Sequence, residues 1–152
     1  MQKYIYLDMD GTIADLYANP KWLEYLNAYD TTPYATAKPL VNMQVLARTL
    51  NRLQAQGYKI GIISWCSKTT TADYDERVIK VKHKWLKTHL RSVQFDEIHI
   101  VAYGTAKSTL SSAEGALLFD DEQRNRTEWA NIGTAYSEKN ILEILKKLSK
   151  NA

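Results

Sequence analysis

The chain has 152 residues, enough for one ordinary domain, and 45% hydrophobic against 24% charged residues is the balance of a folded globular protein. A net charge of +3 suits a small anionic substrate but is too weak to argue for a nucleic-acid surface, because no dense lysine and arginine stripe accompanies it. A single cysteine, Cys66, excludes an internal disulfide, and three scattered histidines offer no zinc-ligand spacing, so the core itself must hold the fold.

Along the chain, short apolar runs alternate with stretches of helical period, the pattern of an α/β domain with a mainly parallel sheet. Tyr4 to Asp8 reads as the first strand, and its acidic end comes before a leader's apolar stretch could be completed. No apolar run approaches the roughly 18 residues that span a bilayer. A cytoplasmic location with no membrane partner is therefore expected. Leu16 to Pro39 breaks the alternation: it holds Pro20, Pro33 and Pro39 around a short helical patch of Trp22, Leu23, Tyr25, Leu26 and Tyr29. We read it as a small cap-like insertion at about 16–39 in a chain that otherwise forms one domain over 1–152. At the C-terminal end of a strand it would overhang the site that doubly wound sheets place there, either as a lid facing substrate or as a local satellite core.

Met43, Leu46, Leu50 and Leu53 recur at helical steps up to Gly57, a C-terminal stop. Tyr58 to Ser64 reads as the second strand, Ser67 to Asp73 as a polar loop, and Val78, Val81 and Trp85 as a helix before Leu90. Glu97 to Ala102, Ala116 to Asp120 and Gly133 to Tyr136 are the remaining strands, and Ile141, Ile144, Leu145 and Leu148 mark a last helix.

Chemistry concentrates at the strand ends. Asp8 and Asp10 follow the first strand directly and precede Gly11, so both stand at the ligand-binding edge, where a side chain and a nearby backbone carbonyl can hold a hard cation. An EF-hand is excluded, because its sixth position must be glycine and here is Ile13. Asp120 and Asp121 end another strand. If the strands are neighbours, four carboxylates converge, and each like-charged pair at about 4 Å would repel by roughly 4 kcal/mol at an effective dielectric near 20. A divalent cation relieves that repulsion, and an all-oxygen donor set points to Mg²⁺ rather than Zn²⁺. Ser64, closing the second strand, and Lys107 supply a hydroxyl and an ammonium suited to phosphoryl oxygens. Lys107-Ser108 is not a P-loop, since Val101 and Ala106 occupy its glycine positions, and Cys66 lacks the arginine six residues on that a cysteine phosphatase needs. Cys66 and the three histidines, His83, His89 and His99, read as packing or surface residues.

In order, these residues resemble the four motifs of the haloacid dehalogenase superfamily: Asp8 and Asp10, then Ser64, then Lys107, then Asp120 with Asp121. The resemblance covers about residues 3 to 136. It implies a Rossmann-like three-layer sandwich whose sheet runs fifth, fourth, first, second, third strand. It also implies a Mg²⁺-dependent phosphomonoester hydrolase with an aspartyl-phosphate intermediate, in which Asp8 is the nucleophile and Asp10 the general acid and base. The metal set would be Asp8, Asp10, Asp120 and Asp121, and the substrate set Ser64, Trp65, Lys68 and Lys107. Within the superfamily, the segments from Asp8 to Asp15, Lys84 to Leu90 and Leu117 to Asp121 are most similar to the 5'(3')-deoxyribonucleotidases, which implies a nucleoside monophosphate as the small phosphorylated partner. Two departures, the short insertion and Trp65-Cys66 where that family has proline after its serine, leave base and sugar specificity open. A phosphatase of a larger substrate, such as a polynucleotide end or a phosphoprotein, and a catalytically silent nucleotide-binding domain remain the alternatives. Oligomeric state is not legible.

Overall fold

The computed structural model describes residues 3–151. Five strands, β1 (Lys3–Leu7), β4 (Tyr58–Trp65), β5 (Glu97–Val101), β6 (Leu117–Phe119) and β7 (Thr134–Tyr136), form one sheet in the order β5-β4-β1-β6-β7. Every pairing in it is parallel, and the order is the one the resemblance implies. Consecutive buried residues explain the arrangement: Ile5, Tyr6 and Leu7 are all fully enclosed, which suits a central strand covered on both faces.

Helix α3 (Met43–Ala55) and the terminal α6 (Ile141–Asn151) pack on the face that carries Ile5, Leu7, Ile60 and Ile62. Trp129 of α5 (Gln123–Trp129) covers the opposite face with Tyr6, Ile63 and Leu118. Asn42 caps α3 by accepting the Val45 N–H, and Thr71 caps α4 (Ala72–His89) by accepting that of Tyr74. Asp73 and Asp75 in the first turn of α4, with Lys87 and His89 in its last, suit the helix dipole. Among the described residues, no helix is long and apolar enough to cross a membrane.

The segment after β1 departs from the strand and helix alternation, as its prolines suggest. A two-stranded antiparallel pair, β2 (Ala14–Asp15) and β3 (Lys38–Pro39), closes its base, and α1 (Trp22–Asn27) and α2 (Thr32–Thr36) lie between. It is stitched to α4 by three hydrogen bonds: Trp85 Nε1 to the Ala37 carbonyl at 2.7 Å, Tyr74 Oη to that of Asp30 at 2.8 Å, and Arg77 Nη1 to that of Tyr29 at 3.0 Å. Leu16, Leu26 and Tyr34 are buried with Tyr74 and Val78 of α4. The inner half of the insertion is thus a satellite core, while Tyr17 and Leu23 remain exposed.

Three local features differ from the sequence reading. The polar loop is shorter, because α4 begins at Ala72. Helix α2 was hidden by Pro33, which a first helical turn tolerates because its missing N–H would be unpaired there anyway. Helix α5 buries only Asn125 and Trp129, so it leaves no apolar period to count.

Trp85 links the insertion to the body of the protein, and Trp85→Phe should strand the buried Ala37 carbonyl while keeping an aromatic ring in place. The expected cost is about 1–3 kcal/mol, measured as the shift in urea unfolding midpoint.

Candidate functional site

Because β1 and β6 are hydrogen-bonded neighbours, their C-terminal ends bring Asp8, Asp120 and Asp121 together, with ligand oxygens all within 4.8 Å of one another. The Asp8 N–H donates to the Phe119 carbonyl at 2.9 Å, which extends the pairing to the residue that carries the carboxylate. Asp120 is fully buried and committed: its Oδ2 accepts from Lys107 at 2.7 Å and Asn125 at 3.1 Å, and its Oδ1 from the Glu122 N–H at 2.9 Å. Asp121 is freer, with Oδ1 3.3 Å from the Thr12 hydroxyl, whose oxygen in turn accepts the Asp121 N–H at 3.1 Å. Thr12 also donates to Asp8 Oδ2 at 2.9 Å.

Gly11 is what lets Asp121 come so close. Its φ is +82°, and a Cβ there would lie 2.2 Å from Asp121 Oδ2.

Lys107 enters from a short 3₁₀ turn after β5, and its ammonium donates to Asp8 Oδ1 at 3.0 Å, Asp120 Oδ2 and the Ile63 carbonyl at 3.0 Å. The turn is pinned by Glu128 of α5, which accepts from both the N–H and the hydroxyl of Ser108. Burial works against the charge of Lys107, but Asp8 and then Asp120 outweigh it and hold its pKa above the ordinary lysine value. With all three carboxylates ionised, a single ammonium leaves this cluster two negative charges. Burial and then repulsion from Asp8 accordingly raise the pKa of Asp120 and push that of Asp121 up to about 8.

Asp10 stands beside this cluster with a cation of its own. Lys82, from the buried stripe of α4, donates to Asp10 Oδ2 at 2.7 Å, to Ser64 Oγ at 2.7 Å and to the Trp65 carbonyl at 2.8 Å. Burial raises the Asp10 pKa, with Lys82 opposing. Sequence reasoning passed over Lys82. The available signal was a lysine on the stripe of Val78 and Trp85, where an apolar residue belongs.

A cavity of about 260 Å³ opens above these groups, with Asp8, Asp10, Lys107, Asp120 and Asp121 at its base. The insertion supplies Leu16, Tyr17, Trp22, Leu23, Leu26 and Tyr34, and Trp65, Lys68 and Tyr103 also line it. Trp22 packs edge-on against Tyr17 at 4.9 Å between centroids. Trp65 lies 4.9 Å from Tyr103, with the Arg124 guanidinium 4.7 Å from its ring. Lys68 is exposed and pairs with no carboxylate among the described residues. Ser64 is fully buried and does not line the cavity, so of the expected substrate residues it alone sits back from the opening. Cys66 lies in the satellite core, and burial pushes its thiol up to about 11, which suits a packing residue.

No protein-family model matches the chain, and no curated protein does. Among solved structures it is similar to the D,D-heptose 1,7-bisphosphate phosphatase of Burkholderia thailandensis, at 13% identity and a TM-score of 0.62 over 96% of this chain and 97% of that one. It is also similar to the corresponding enzyme of B. bronchiseptica, complexed with magnesium and phosphate, at 14% identity and a TM-score of 0.59 over 99% of both chains. Together with the sheet order, this likeness defines a haloacid dehalogenase-like, Rossmann-type α/β fold.

The crowding has a thermodynamic signature. An unfolded aspartate titrates near 4, whereas Asp121 titrates near 8 in the fold, so between these values the folded state binds more protons and loses stability as pH rises. In protein stripped of divalent cations, Asp121→Asn should abolish this contribution, and the variant should gain on the parent in melting temperature as pH is raised from about 5 to 8.

Proposed function

We propose that the chain is a Mg²⁺-dependent phosphomonoester hydrolase that works through an aspartyl-phosphate, with the 16–39 insertion as its small cap. The observation that carries this reading is the residual charge of two at an all-oxygen cluster beneath a cavity, the donor set and charge that a hard divalent cation fits. Likeness to phosphatases, one of them bound to magnesium and phosphate, supports it. Asp8, Asp121 and the backbone carbonyl of Asp10 would hold the cation, with Asp120, whose oxygens are already committed, supporting them from behind. When bound, Mg²⁺ neutralises charge on the carboxylates and on the phosphoryl oxygens.

Asp8, fixed by Lys107 on one oxygen and Thr12 on the other, attacks phosphorus. As the new oxygen–phosphorus bond forms, the bond to the leaving oxygen breaks, and Asp10 gives that oxygen its proton. Asp10 then takes a proton from the water that attacks the phosphoaspartate, releasing phosphate and restoring Asp8. The raised pKa of Asp10 suits this double duty. Ser64 accepts from Lys82 and is buried behind the opening, so a bond from its hydroxyl to a phosphoryl oxygen requires a local shift. All three Lys107 N–H bonds are committed, so its contact with phosphate requires exchanging one of them.

For the leaving group we propose a nucleoside, in keeping with a 5'(3')-deoxyribonucleotidase-like enzyme that works in the cytoplasm. Trp22, Trp65 and Tyr103 offer flat apolar surface beside the reacting groups, and Lys68 is the one cation on the lining that carries no ion pair. That equipment suits one phosphate and an aromatic base better than a bisphosphate.

Asp8→Asn should abolish phosphate release while the fold is retained, and Asp10→Asn should lower turnover of alkyl esters by about 10² to 10⁴-fold. EDTA should stop the parent enzyme, with Mg²⁺ restoring it better than Ca²⁺. Phosphate release with and without metal checks all three, and persistent turnover in folded Asp8→Asn would remove the covalent mechanism. Across a panel of esters, kcat/KM should be higher for dUMP and dTMP than for sugar phosphates and sugar bisphosphates. Trp22→Ala or Trp65→Ala should narrow that gap by roughly 5 to 150-fold, the worth of about 1–3 kcal/mol of stacking on a base. A panel that favours sugar phosphates would refute the nucleoside assignment and leave the hydrolase standing.

A further inference from the structure

Two ammonium groups are buried among the described residues, and only Lys107 has a task in the chemistry above. Lys82 is 2% exposed and occupies a stripe of α4 where Val78 and Trp85 flank it. Burying a lysine there is costly, and an apolar residue would fill the same space without desolvating a charge. Its three N–H bonds nevertheless meet three acceptors on two strand ends: Asp10 Oδ2 just after β1, and Ser64 Oγ and the Trp65 carbonyl at the end of β4. Among the described residues it is the only hydrogen-bond partner of the Asp10 and Ser64 side chains. The ring of Tyr34, from the insertion, lies 4.8 Å from the ammonium and closes its fourth side.

We propose that Lys82 is a positioning residue: it holds the Asp10 carboxyl by Oδ2, leaving Oδ1 to meet the leaving oxygen, and Tyr34 keeps the ammonium in place. The proposal rests on Asp10 as the general acid. A carboxyl free to rotate would spend much of its time off the line of the breaking bond, and misplacement by about 1 Å can cost on the order of 10²-fold. The insertion thereby acts on the reacting groups as well as on the substrate.

The dependence on leaving group separates this role from a structural one. The value of kcat/KM reports the step that expels the leaving oxygen, and 2-phenylethyl phosphate needs a proton there, whereas p-nitrophenyl phosphate departs as a stable anion. Lys82→Met should lower kcat/KM for the alkyl ester by about 10 to 10²-fold more than for the aryl ester. In an Asp10→Asn background that selective loss should vanish, because the residue through which Lys82 acts is already disabled. Tyr34→Leu, which leaves Lys82 intact, should show the same selectivity in smaller measure and decides the matter should Lys82→Met fail to fold. Equal losses for the two esters, or a selective loss that survives in Asp10→Asn, would overturn the role of Lys82 alone. A parent protein that releases phosphate from neither ester would instead remove the hydrolase reading on which it rests.

Discussion

Everything at this site follows from putting three carboxylates on two adjacent strand ends and then covering them. The pairing of β1 with β6 fixes the separation of Asp8 from Asp120 and Asp121, and neither side can retreat without breaking the sheet. Like charges held this close repel by several kcal/mol per pair at a protein-like dielectric. The surrounding fold reads as a set of responses. A buried lysine arrives from the far edge of the sheet, α5 contributes Asn125 and the Glu122 N–H, and a glycine gives the third carboxylate room. The second buried lysine serves Asp10, so the charges form two groups with different balances: one ion pair, and one cluster in which anions outnumber cations. A site divided in this way can keep an acid and a cation-binding cluster a few ångströms apart without either neutralising the other.

Much of this was legible in the sequence, for a physical reason. Buried parallel strands are written as continuous apolar runs, and the acidic residues that end them stand out against that background, so Asp8, Asp10, Asp120 and Asp121 could be found by position alone. The sheet order came from the family resemblance, and the structure has it. What escaped notice carried a fainter signal. Lys82 sits on the inner face of a helix whose other lysines face solvent, and residue type alone does not separate one from the rest. Helix α5 meets the core through Asn125 and Trp129, too few points to fix a period. Thr12 was visible beside the first acidic pair, but its bridge between Asp8 and Asp121 depends on a turn that brings residues 109 apart in sequence into contact. Ser64 was read as facing substrate. It lies one residue before the end of its strand, which runs on to Trp65, and points toward α4, because the register of β4 puts it on the same face as Ile62.

The insertion shows how few residues are needed to give an open sheet edge a wall. Leu16, Leu26 and Tyr34 fasten it to α4 and also line the cavity, and Tyr17, Trp22 and Leu23 extend that lining outward. The two readings offered by its composition, a lid and a satellite core, thus meet in the same side chains. The wall across from it is built differently, from Trp65 and Tyr103 under the Arg124 guanidinium, so a ligand meets aromatic surface carried by the main body as well as by the insertion.

The stitches between the insertion and α4 have a consequence for traffic. A lid that opens needs a hinge at each root and a face that can part from the body, but here the roots are paired as β2 and β3 and the inner face is fastened at Ala37, Asp30 and Tyr29. The mouth therefore behaves as a fixed aperture. What enters is set by what fits through a standing opening, and a long chain could offer only its tip while the rest stays outside.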